Sequence, residues 1–328
     1  YTFNELGLGF LGEDKVFDYK QLETGGVVGP FGVGALFFGL FFPLGLALFF
    51  SMAFKEKTKQ LIIERKKTRD LEKEFNNSLF QLGNRLGGGM PPELVFAKVA
   101  ESSKGLRTED FFRRVNYNIQ QMGMSVDSAI FNPRRGALIY YPSDLIATSM
   151  RILVESVKKG LNVAAISLMS ISQYVKNIQK ITDRLRDLLA EVISEMKSNM
   201  TFLAPLLLGI VVGLAIMITS ILNKLNIATI AEGGAAQFGN IGAVLNIFEL
   251  TKMIPPYWLQ ISVGIYLIQV IFILTSALVA IDSGEDKLEK MNKTGRNLKR
   301  GIILYFIVAS VVTVILFVLS TLVLGNLV

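Results

Sequence analysis

Four stretches of this chain carry no Asp, Glu, Lys or Arg: Phe31 to Phe54, Thr201 to Leu222, Tyr257 to Ile281 and Ile302 to Leu324. Each is long enough for a helix to cross a hydrocarbon core, which takes about 20 predominantly apolar residues. Inside a bilayer the backbone must satisfy its own N–H and C=O groups, and within one segment only a helix does so. The sequence therefore predicts an all-α, polytopic membrane protein with four transmembrane helices. The first run is no signal peptide as it stands: an acidic segment precedes it, and it exceeds an apolar core of about 7–15 residues.

Basic residues flanking the spans predict their orientation. Residues 1–30 hold two Lys against five acids, a net of −3, whereas residues 55–200 hold 24 basic and 16 acidic side chains, a net of +8. Lys55, Lys57, Lys59, Arg65, Lys66, Lys67 and Arg69 follow the first span directly. Residues 55–200 and the short loop 282–301 are thus expected to be cytoplasmic. Residues 1–30 and the connector 223–256 are expected outside, and the whole chain in the plasma or inner membrane. An acidic external start fits a chain with one or more earlier spans.

The 328 residues include no Cys and no His. This removes disulfides, thiol nucleophiles, Cys/His metal sites and imidazole general bases. No cofactor, metal or catalytic residue is expected, and the chain is read as no enzyme.

Residues 55–200 form the one segment able to bury a core of its own, and their hydrophobic spacing is helical. Phe75, Leu79, Leu82 and Leu86 step by three and four; Gly87, Gly88 and Gly89 break that pattern, and Pro91-Pro92 opens a second helix bearing Leu94, Val95 and Val99. A third, Asp110 to Gly123, repeats Phe112, Val115, Ile119 and Met122. Ser125 to Phe131 makes a short helical turn halted by Asn132-Pro133. Ser143 can cap a further helix with Ile146, Met150, Leu153 and Val157 on one face, stopping at Gly160. Then Ile171, Ile178, Leu185 and Val192 repeat at seven, interleaved by Val175, Ile181, Leu188 and Met196, and no breaker separates them from the span at Thr201. One helix from about Asn162 to Leu222 would be roughly 90 Å long. Phe54 runs on into Lys55 in the same unbroken way at the other end.

The stretch Phe75 to Ala100, FNNSLFQLGNRLGGGMPPELVFAKVA, resembles the opening of the F domain in the inner-membrane platform proteins of type II secretion systems, type IV pili and archaeal filaments. An apolar helix ends in a Gly-rich turn, followed by Pro and a second amphipathic helix; the later pair 142–160 and 163–200, and the span after it, are similar to that family's bundle. The archaeal and tight-adherence branches look closest, because one such insert is followed by further spans with a short basic loop between them. The resemblance covers about 55–222 well and the C-terminal spans in outline.

It implies one cytoplasmic F-domain bundle at 55–200 and a non-enzymatic scaffold beneath a growing filament. The bundle would be engaged by a hexameric secretion ATPase, and the membrane part would handle pilin subunits. Membrane lipid is a further partner, and a homo-oligomer is left open. Many relatives carry two F domains, whereas this chain shows one.

Other motifs read more plainly. Gly7, Gly9 and Gly12 spell GxGxxG, but no strand precedes them as a dinucleotide site requires. Gly87-Gly88-Gly89 lacks the Lys-Ser or Lys-Thr of a phosphate loop and reads as a turn that needs positive φ. Gly209 and Gly213 form a GxxxG step, a face that lets another helix approach closely, most simply one of this chain. Asp282, Glu285 and Asp286 read as a solvated loop.

Basic residues recur at Arg113, Arg114, Arg134, Arg135, Lys158 and Lys159, and again at Lys290, Lys293, Arg296, Lys299 and Arg300. Those next to the bilayer serve topology and headgroup attraction. Arg113, Arg114, Arg134 and Arg135 lie far along the chain from any span, so they are candidates for docking an acidic partner surface, with Lys158, Lys159, Arg296, Lys299 and Arg300 as further contributors. Nucleic acid is not expected as a partner, since the 16 acids of residues 55–200 dilute the basic ones and no recognised motif appears. A small-molecule transporter or channel is the alternative. It is disfavoured because the spans hold no charged side chain, Gln260 and Gln269 being their strongest polar groups.

Overall fold

The computed structural model describes residues 18–21, 27–31, 33–224 and 254–325. The Gly7, Gly9, Gly12 motif and nearly all of the connector 223–256 lie outside the described residues. The elements are strands β1 (Asp18–Gln21) and β2 (Val27–Phe31) and nine helices within these residues: α1 (Val33–Gly87), α2 (Pro92–Ser102), α3 (Arg107–Gln120), α4 (Val126–Phe131), α5 (Asp144–Val157), α6 (Leu161–Ser198), α7 (Ala204–Lys224), α8 (Pro256–Ser283) and α9 (Lys287–Gly325). A 3-10 turn at Ala137–Ile139 precedes α5, and a π-helical turn, Asn199–Leu203, joins α6 to α7. Four helical stretches are long and apolar enough to cross a membrane: Gly34–Gly87, Leu161–Thr219, Pro256–Ser283 and Lys287–Leu316. Helix therefore dominates, as the spacing anticipates, and the protein is a multi-pass membrane protein by composition.

The hairpin was not legible in the acidic leader. β1 and β2 pair antiparallel, with Lys20 opposite Val28, Gln21 opposite Val27 and an irregularity between Asp18 and Lys20. Two strands of four and five residues are too short to display a period of two.

Two compact units divide the chain: Tyr1–Thr58 with Ala190–Val328, and Lys59–Leu189. The second unit is a helical bundle with an aromatic centre. Phe75 of α1 stacks on Phe112 of α3 (5.7 Å, rings 8° apart) and meets Phe111 edge-on at 5.8 Å; Tyr141 meets Phe111 edge-on at 5.8 Å. Around these rings Leu79, Leu82, Leu86, Val95, Val99, Val115, Ile146, Met150 and Leu153 are buried. Each such side chain contributes roughly 1.5–3 kcal/mol on leaving water. Several polar groups that enter this core are paired, whereas Asn76 Oδ1 and Asn116 Oδ1 are buried without a hydrogen-bond partner among the described residues. Ser78 of α1 hydrogen-bonds the hydroxyls of Ser103 and Thr108 at 3.3 Å each. Ser143 accepts from the Ile146 N–H at 3.3 Å as the α5 cap and donates to Glu72 Oε1 at 2.6 Å.

The glycine turn closes α1. The Gly88 N–H donates to the Asn84 carbonyl at 3.0 Å and the Met90 N–H to the Arg85 carbonyl at 3.2 Å, while Gly89 takes φ +81°. Only glycine adopts that φ without strain. Beyond Ser172 the apolar stripe of α6 leaves the core: Ile178, Ile181, Leu185, Leu188 and Val192 are between 45% and 64% exposed. Seven-residue spacing identifies a helical face but not what that face meets.

The first unit packs the apolar parts of α1, α7, α8 and α9 around Leu40, Ala47, Val212, Leu267, Ile271, Ile302 and Tyr305. Phe38, Phe41, Phe42 and Phe49 are more than half exposed, a surface suited to lipid. Close approach depends on small residues. A Cβ on Gly209 would come within 2.8 Å of Val308 Cγ1, and one on Gly213 would strike Val312, so the GxxxG face of α7 packs against α9 of the same chain. Gly264 of α8 likewise abuts the ring of Pro43, which α1 carries in its interior without ending.

Candidate functional site

Two groups of polar residues stand out, one in each unit. In the helical bundle, α3 carries Arg113 and Arg114, and the turn after α4 carries Arg134 and Arg135. Asn118, a polar residue on the apolar side of α3, donates to the Ala129 carbonyl at 3.0 Å and to the Arg135 carbonyl at 2.9 Å, tying that turn to the helix. Asn132 Oδ1 accepts from the N–H groups of Arg134 and Arg135 at 2.9 and 3.2 Å, which fixes the same turn from within. One turn before Asn118, the Arg114 guanidinium lies 3.4 Å from the centre of the Tyr140 ring, a cation–π contact.

The remaining side chains of this set differ in how free they are. Arg113 is exposed and paired with Glu109. Lys158 pairs with Glu155 at 2.8 Å, and this hydrogen bond raises the Lys158 ammonium and lowers the Glu155 carboxyl relative to their ordinary pKa values. Arg134, Arg135 and Lys159 are exposed and make no ion pair among the described residues. Sequence reasoning missed Arg151, whose guanidinium stands 5.4 Å from the Phe131 ring. It also missed Asn118, which its place among Phe111, Val115 and Ile119 marks as a polar interruption of an apolar face.

The second group forms a collar where the apolar helices of the membrane unit become polar. Lys293 is only 19% exposed and pairs with Asp282 and, at 2.9 Å, with Glu289. Asp282 therefore belongs to the last turn of α8 and an ion pair, not to a solvated loop, and Asp286 caps α9 by accepting from the N–H groups of Leu288 and Glu289 at 3.1 Å. Beneath them lies a buried polar cluster: Asn297 Nδ2 donates to Thr275 Oγ1 and to Met200 Sδ at 3.2 Å each, and Thr275 donates to Met200 Sδ at 3.3 Å. This cluster anchors the π turn to α8 and α9.

Two cavities open in the collar. The smaller, about 260 Å³, is lined by Lys197, Asp282, Lys293 and Arg300 with Ile193 and Leu278. The larger, about 690 Å³, lies between α1 and α9. Arg296, Lys299 and Arg300 line it together, so the structure gathers these three expected residues at one place with Lys55 of α1. No group of three or more Asp and Glu side chains able to hold a metal ion occurs among the described residues. Comparisons with protein-family models, with curated proteins and with solved structures found no match.

Proposed function

We propose that the chain is a membrane platform for the assembly of type IV pilus-like filaments, or for type II secretion, that performs no chemistry itself. Its helical bundle lies in the cytoplasm as an F domain, a hexameric ATPase grips that bundle, and the spans receive pilin subunits from the lipid. The observation that carries this reading is helical continuity. α1 runs without a break from the apolar residues after Val33 to Gly87, and α6 runs through the π turn into α7. A displacement of the bundle by a partner would reach the spans along these two helices. The fixed turn bearing Arg134 and Arg135 supplies exposed cations for an acidic face of the motor.

Affinity purification of the full chain from its native membrane, with identification of bound proteins, tests the proposal. A hexameric ATPase and a pilin should co-purify, and Arg134→Glu with Arg135→Glu should reduce ATPase recovery about tenfold while leaving the melting temperature within a degree or two. Recovery of neither partner, or accessibility labelling that puts residues 75–160 on the external face, would overturn it. Reconstituted vesicles that pass a small solute without any partner would replace it with a transporter.

A further inference from the structure

The larger collar cavity has two chemically distinct halves. Its upper part is lined by Lys55 of α1 and by Arg296, Lys299 and Arg300 of α9, and its lower part by Ile303, Leu304 and Ile307. The α9 residues recur at three and four positions and so share one face of the helix. None of the four cations makes an ion pair among the described residues, in contrast to Lys293 on the same helix. Arg296 donates to Asn292 Oδ1 at 3.3 Å, which steadies its guanidinium at the rim. The back wall is fixed: Ser51 donates to the Gly295 carbonyl, and a Cβ on Gly295 would come within 3.0 Å of the Ser51 carbonyl oxygen.

Topology alone does not call for this arrangement. Orientation needs basic residues in the loop, wherever they point. It does not need them around a cavity whose other half is apolar and continues into the span that begins near Ile302. Two guanidinium forks and two ammonium groups suit a phosphate. The apolar floor suits a phosphate that carries an acyl chain, since a free anion would gain nothing from Ile303 and Ile307.

We infer that this cavity binds one anionic phospholipid, its phosphate between Lys55, Arg296, Lys299 and Arg300 and one acyl chain along Ile303, Leu304 and Ile307. The inference rests on the chain crossing a membrane and stands apart from the platform proposal. Its occupant is part of the bilayer, so the site is filled wherever anionic lipid is present in the adjoining leaflet. A bound lipid would hold α1 against α9 at the level where α1 leaves the apolar region.

The full chain in detergent, titrated with dioleoyl phosphatidylglycerol, dioleoyl phosphatidylcholine or inorganic phosphate and read by native mass spectrometry, tests this. A single phosphatidylglycerol adduct should form at about tenfold lower lipid concentration than a phosphatidylcholine adduct. Arg296→Gln, Lys299→Gln and Arg300→Gln together should abolish that preference, whereas Arg296→Lys with Arg300→Lys should keep most of it. A charge-matched variant elsewhere, Arg134→Gln, Arg135→Gln and Lys159→Gln, should bind as the parent does. An unchanged preference in the first variant, equal loss in the charge-matched one, or displacement of the lipid by equimolar inorganic phosphate would each overturn the inference.

Discussion

The Ser51 hydroxyl donates a 2.6 Å hydrogen bond to the Gly295 carbonyl, joining α1 to α9 across 244 positions of sequence. The contact is possible because Gly295 has no side chain to hold the helices apart. Ser51→Ala should cost about 0.5–1.5 kcal/mol, the net value of one such bond. Gly295→Val should cost more, because its methyl groups must enter space occupied by the Ser51 carbonyl and Phe54. Thermal unfolding of the detergent-solubilised chain checks the order, and equal midpoints for the two variants would contradict it.

Gly213 and Gly45 give a paired test of packing within the span region. Nothing lies within 4 Å of a Cβ placed on Gly45, whereas one on Gly213 would strike Val312. Gly213→Val should therefore lose about 1–3 kcal/mol through overpacking, and Gly45→Ala should gain roughly 0.5–1 kcal/mol through helix propensity. The two thermal midpoints should move in opposite directions.

Gln260 is fully buried in α8, and neither Oε1 nor Nε2 has a hydrogen-bond partner among the described residues. An unsatisfied buried amide costs about 1–3 kcal/mol. Gln260→Met keeps the length of the side chain and removes its polarity, so it should raise the melting temperature. A lowered midpoint would mean that the amide is bonded in the membrane.

Gly89 carries positive φ at the end of α1, whereas a Cβ on Gly88 would sit in ordinary contact at 3.4 Å or more. Gly89→Val should destabilise the bundle by about 1–3 kcal/mol through backbone strain, and Gly88→Ala should be nearly neutral. Hydrogen exchange of the α2 and α3 amides in the full chain reads the difference.

Burial pushes the Tyr141 phenol above its ordinary pKa; the charge of Asp110 adds to the shift and Arg114 opposes it. A raised folded-state value means that the phenol's contribution is intact below the unfolded value of about 10 and is lost as pH rises through the folded one. The melting temperature should thus fall above about pH 10, and Tyr141→Phe should flatten that fall. Identical alkaline profiles for parent and variant would refute this.

The spans were legible because a run of some 20 residues without charge has few other uses. The bundle core was legible for a related reason. Phe75, Leu79, Leu82, Leu86, Val95, Val99, Phe112, Val115, Ile146, Met150 and Leu153 were read from spacing and are all buried. Leu94 and Met122 were read on the same faces and are exposed: Leu94 sits at the edge of its stripe, and Met122 lies past the end of α3, which stops at Gln120 and not at Gly123. The basic residues next to the bilayer were visible, but not that Lys293 turns inward to Asp282 while Arg296, Lys299 and Arg300 line a cavity. Positions three or four apart on one helix share a face, but which neighbouring helix supplies the opposite wall, here the one bearing Ser51 and Lys55, is a tertiary fact. The π turn left no trace in composition, because Asn199 to Leu203 could equally continue an α-helix.

That turn sets the rotational phase between two helices. Sixteen α-helical residues would place Val212 about 160° around the axis from Met196, and taking up one residue in a π turn reduces this to about 60°. Met196 and Val212 both reach the same core as a result. Deleting one residue from 199–203 would leave fifteen α-helical residues between Met196 and Val212 and so keep the offset of about 60°, whereas straightening the turn at its full length would swing Met196 outward by about 100° while Gly209 and Gly213 stayed seated on α9. The turn thus absorbs a single surplus residue, and one continuous rod presents its grease inward on both sides of the join.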